Sequence, residues 1–127
     1  MKTSTFRSAV LSVALLSTAL AVAVAAGAQK EESVVVTKLI TAVEQADYDG
    51  FVGGAPKLRK LTKEQFAAVG VLYGARLKRG YTITLLGELK QGGHRVSLWK
   101  IAFKDESDDA LVTMSMKDGS VGGFFIR

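Results

Sequence analysis

The sequence predicts an α+β domain in which two helical segments precede a four-stranded antiparallel meander. Two observations carry this reading. An apolar stripe at helical spacing runs from Val36 to Ala46, and a second stripe follows a capping signal at Thr62. After Gly80 the apolar period changes from 3.6 to 2, with turn signals between four short runs.

At 127 residues the chain holds one domain at most. Lys2 and Arg7 precede an apolar run from Ala9 to Ala26, and Ala26-Gly27-Ala28 supplies the small residues a signal peptidase reads. Residues 1–28 are therefore expected to be a signal peptide cleaved before Gln29. The competing reading is a retained anchor, because the run approaches the roughly 18–20 apolar residues that span a bilayer. No basic stop-transfer cluster follows it directly, which favours cleavage. No cysteine follows either, which excludes a lipid-anchored form.

Residues 29–127 then make a single domain of 99 residues, enough to bury about 60–65% of its chain surface. Without Lys2 and Arg7 it carries 15 basic and 12 acidic side chains, a net +3, too mild to imply nucleic acid. An exported domain without cysteine is held by packing alone. The expected location is periplasmic or secreted, with no membrane span after cleavage.

The elements follow in order. From Ser33, Val36, Leu39, Ile40, Val43 and Ala46 form one helical stripe, although Val34-Val35-Val36 is β-prone. Asp47 to Phe51 is read as the end of that helix, and Gly50, Gly53 and Gly54 as a loosened backbone before Pro56. Pro56 suits the first turn of a short helical segment reaching Leu61. Thr62-Lys63-Glu64-Gln65 is a capping box, opening a helix with Phe66, Val69, Gly70, Tyr73 and Leu77 on its apolar face and Gly80 at its end. Tyr81, Ile83, Leu85 and Leu89 mark the first strand, and Gln91-Gly92-Gly93-His94 the first turn. The second strand, Arg95 to Phe103, holds the only tryptophan, Trp99. Leu111 to Lys117 is the third strand, Asp118-Gly119 a strong hairpin signal, and Val121 to Ile126 the last strand.

Chemical signatures are sparse. His94, the only histidine, falls in a turn with no nucleophile in a recognisable setting. A serine elbow at Ser120 would need glycine where Asp118 stands. Asp105 to Asp109 resembles a calcium loop only until Ala110 and Met116 occupy the positions of its glycine and glutamate. With one histidine and no cysteine, no metal site and no cofactor are expected. Lys57, Arg59, Lys60, Lys63, Arg76, Lys78 and Arg79 cluster with only Glu64 opposing them, a patch suited to an anionic partner. Tyr48, Phe51, Tyr73 and Trp99 are the candidate residues for an apolar ligand between helices and sheet.

The phrases Ala46-Asp47-Tyr48-Asp49-Gly50-Phe51, Leu58-Arg59 and Leu61-Thr62-Lys63-Glu64-Gln65-Phe66 resemble small exported bacterial proteins with a cystatin-like or NTF2-like fold. The resemblance spans nearly all of the mature chain. It implies a helix-on-curved-sheet fold and leaves activity open, since that superfamily includes isomerases, dehydratases, pocket binders and structural dimer modules. Its enzymatic members line a deep cone with Asp, His or Tyr, whereas the inward strand positions here are mostly apolar. The expected role is a non-enzymatic envelope protein that binds a partner or a small apolar ligand. A homodimer is expected through the sheet face, because one helical layer covers only one side of a sheet. The alternatives are a small lyase or isomerase using Tyr48, Asp49 or Tyr73, and a protease inhibitor with wedge-forming hairpin loops.

Overall fold

A computed structural model describes residues 30–127, so the expected signal segment, residues 1–28, lies outside the described residues. Three helices precede a four-stranded antiparallel sheet whose spatial order, β1-β2-β3-β4, is also the chain order. The compact unit runs from Val35 to Arg127.

Helix α1 is described over residues 30–44, with Val36, Leu39, Ile40 and Val43 buried as the stripe requires. The β-prone valines are helical here, because burial of Val36 against the core outweighs a propensity difference of a few tenths of a kcal/mol. Ala46 departs from expectation. It is exposed, outside the helix, at a φ of 55°. The Ala46 amide donates to Val43 at 3.2 Å and the Asp47 amide to Ala42 at 2.8 Å, the paired bonds of a Schellman stop.

The stretch read as loosened backbone instead forms helix α2, Tyr48–Gly54. Its N-cap is Asp47, whose Oδ1 accepts from the Gly50 amide at 2.9 Å. A Cβ on Gly50 would stand 2.1 Å from Asp47 Oδ2, so the cap and the glycine belong together. A 3-10 turn at Pro56–Leu58 leads to α3, Lys63–Lys78. The capping box is formed: the Gln65 amide donates to Thr62 Oγ1 at 3.1 Å, and the Thr62 amide to Gln65 Oε1 at 2.9 Å. Gly80, at φ 109°, turns the chain into the sheet.

The strands are β1 Tyr81–Gln91, β2 His94–Phe103, β3 Ala110–Lys117 and β4 Ser120–Ile126. Gly92-Gly93 and Asp118-Gly119 all have positive φ, as two-residue hairpin turns demand. His94, expected in the turn, is the first residue of β2, paired with Gln91 and half-buried. A bulge at Leu86 shifts the β1 register, so Leu85 pairs with Trp99 but Leu89 pairs with Val96 on the opposite face. Leu89 therefore leaves the row of Tyr81, Ile83 and Leu85 and stands 48% exposed.

The core lies between the helical stripes and one sheet face. Leu85, Trp99, Val112 and Ile126 form a continuous row across all four strands. Trp99 and Val112 are buried, in one cluster with Leu39, Ile40, Phe51, Phe66 and Leu77.

Candidate interaction surfaces

The predicted ligand residues divide by location. The Tyr48 hydroxyl donates to the Leu61 carbonyl at 2.7 Å, pinning α2 to the turn before α3, and its ring meets Phe66 edge-on at 5.7 Å. Phe51 packs between Phe66 and Phe124, with ring centres 5.2 and 5.6 Å away. Trp99 is buried, its Nε1 donating to Ser97 Oγ at 2.8 Å, while that hydroxyl donates to the Met114 carbonyl at 3.4 Å. Tyr73 lies seven residues beyond Phe66 on α3, about 10 Å along the helix axis, beside Arg76. Asp49 is exposed on the first turn of α2. The fold thus gathers Tyr48 and Phe51 into one aromatic cluster, while Asp49 points to solvent and Tyr73 sits elsewhere.

The cationic residues also divide. Arg76 packs its guanidinium 4.0 Å from the centre of the Phe103 ring, donates from Nε to Ser107 Oγ at 3.0 Å, and bonds the Asp108 carbonyl. Arg79 pairs with Asp105 at 3.1 Å. Both arginines thereby fasten the C-terminal end of α3 to the β2–β3 loop, a role the sequence pattern did not reveal. Asp105 accepts from the Ser107 hydroxyl and amide at 2.5 and 2.9 Å. Those bonds, with a smaller contribution from Arg79, lower its carboxyl to about 2. Lys57, Arg59, Lys60, Lys63 and Lys78 are exposed, Lys63 with its ammonium 5.8 Å from the Tyr48 ring centre.

Among the described residues, the core shared with the helices does not extend to the second sheet face. Register places Gly87, Leu98, Thr113 and Phe125 in one row and Leu89 beside Val96 in the next. Val96, Leu98, Ala102 and Leu111 are half-buried, and Phe125 is 64% exposed. Lys100 is the charge within its centre, between Thr84 and Leu111.

A third surface was not anticipated. The outward side of α3 bears Ala67, Ala68, Val71, Leu72 and Ala75, with Val71 84% and Leu72 66% exposed. No charged residue occurs from Gln65 to Ala75. Gly70 and Gly74 leave an open groove of about 320 Å³ between this helix and Val43, Glu44 and Ala46. The apolar count was legible in the sequence, but which of these side chains the core would use was not. Nearby, burial raises the Tyr81 hydroxyl above its ordinary pKa; the Glu44 charge adds to this and a Thr41 hydrogen bond opposes it.

Among the described residues, no three His, Asp or Glu side chains gather into a group that could hold a metal ion. No described helix is long and apolar enough to cross a membrane. Comparison with known families, curated proteins and solved structures returned no match.

Proposed function

We propose that this chain is a non-enzymatic exported binding domain, cystatin-like or NTF2-like in fold, that acts through the open face of its sheet with a second copy as partner. Its place of action is the periplasm or the cell exterior. The observation that carries the reading is the Leu98–Thr113–Phe125 row, flanked by Val96 and Leu89, on a face that no helix covers among the described residues. A second copy presents the same row, so one apolar strip can cover the other in an isologous pair. A small apolar ligand has less support, because Tyr48, Phe51 and Trp99 already fill their surroundings by packing. A lyase or isomerase also has less support, since the Tyr48 hydroxyl is engaged by Leu61 and Asp49 does not face it across a pocket.

Size sets the expected strength. Four strands about 4.8 Å apart and seven residues long at about 3.3 Å each present roughly 450 Å² in projection. That is little more than half of the roughly 800 Å² per partner typical of stable interfaces, so a weak dimer with dissociation in the micromolar range or above is expected. Sedimentation velocity of residues 29–127 across a micromolar dilution series tests it. The expected result is a concentration-dependent dimer that Leu98→Asp and Phe125→Asp each convert to monomer with unchanged circular dichroism. A monomer at every concentration contradicts the reading.

A further inference from the structure

The basic residues and the exposed apolar side of α3 belong to one continuous stretch. From Lys57 to Arg79 there are seven basic side chains and one acidic, Glu64, a net +6. The rest of the chain after residue 28 has eight basic and eleven acidic side chains, a net −3. Charge is thus concentrated in the segment that also exposes Val71 and Leu72. Arg76 and Arg79 are engaged with the β2–β3 loop, while Lys57, Arg59, Lys60, Lys63 and Lys78 stay exposed before and after the uncharged turns. Leu58 and Leu61 are partly buried against the core, whereas the cations beside them are not.

We propose that the outward side of α3, together with the cationic run Lys57–Lys63, docks this domain on an anionic phospholipid surface. Charge complementarity favours a bilayer over a second copy, which would bring the exposed Lys57, Arg59, Lys60 and Lys63 against the same four cations. Two weak attachments are needed for stable residence at a membrane, and this stretch supplies both. Val71 and Leu72 insert among headgroups and upper acyl chains, and the lysines and Arg59 meet lipid phosphates. The inner side of α3 stays packed through Phe66 and Leu77, so docking requires no unfolding. This surface is separate from the open sheet face, and either can operate without the other.

The test is co-sedimentation of residues 29–127 with vesicles of phosphatidylglycerol and phosphatidylcholine mixed, against phosphatidylcholine alone, at low and high salt. Retention on the anionic vesicles that falls with added salt is expected. The double substitution Val71→Asp with Leu72→Asp lowers it about tenfold or more, as does Lys57→Glu with Lys60→Glu. Both pairs are exposed, and circular dichroism reports that each variant is folded. No retention of the native sequence at low salt overturns the proposal, as does retention unaffected by the Val71 and Leu72 changes. Equally, a self-association abolished by those changes in a protein that ignores vesicles assigns the surface to a second copy and overturns it.

Discussion

Ala46 holds a left-handed conformation that glycine adopts without penalty, and it does so to close α1. The strain costs about 1 kcal/mol in a residue with a Cβ. Ala46→Gly is therefore expected to raise stability by about 1 kcal/mol in urea melts, despite adding glycine to the chain. This residue also shows how periodicity misleads. Ala46 continues the 3.6-residue stripe in sequence, but the terminating bonds are made by the backbone, which leaves no mark on residue type. Asp105 gives a second residue-scale expectation. Its carboxyl is lowered from 3.8 to about 2 by bonds formed only in the folded loop, so their stabilisation is complete above the ordinary value and is lost as pH falls toward 2. The thermal midpoint of the native sequence should exceed that of Asp105→Asn at neutral pH, with the gap closing between about pH 4 and 2. A gap constant down to pH 2 would show that the loop bonds do not form.

At the scale of elements, the strands were the most legible. Alternation and the Gly92-Gly93 and Asp118-Gly119 turns left little freedom in register, and Thr62 with Gln65 marked the start of α3 through the hydrogen bonds those side chains make. Helix α2 was hidden because three of its seven residues are glycine, whose low helix propensity argues for a loop. Asp47 as cap and Phe51 in the aromatic cluster offset that cost, and only the tertiary arrangement reveals both. The Leu86 bulge was hidden in the same way. It turns Leu89 to the open face, where simple alternation would have placed it in the core. The cluster of Lys57, Arg59, Lys60, Lys63, Arg76, Lys78 and Arg79 was visible as composition. Its division into loop-anchoring arginines and exposed lysines with Arg59 was not, because the partners Asp105 and Ser107 lie 26 and 31 residues away from Arg79 and Arg76.

Across the whole compact unit, Trp99 organises the inner side of the sheet and the Leu98 row organises the other. Among the described residues, the helical layer covers the first and leaves the second open, and the proposed self-association rests on that open face. Backbone amide shifts of residues 29–127, followed by NMR on dilution through the micromolar range, test that claim most directly. Concentration-dependent shifts are expected at Val96, Leu98, Ala102, Thr113 and Phe125, with the outward residues of α3 unchanged. Shifts that stay invariant across the open face, or that move only at Val71 and Leu72, would contradict it.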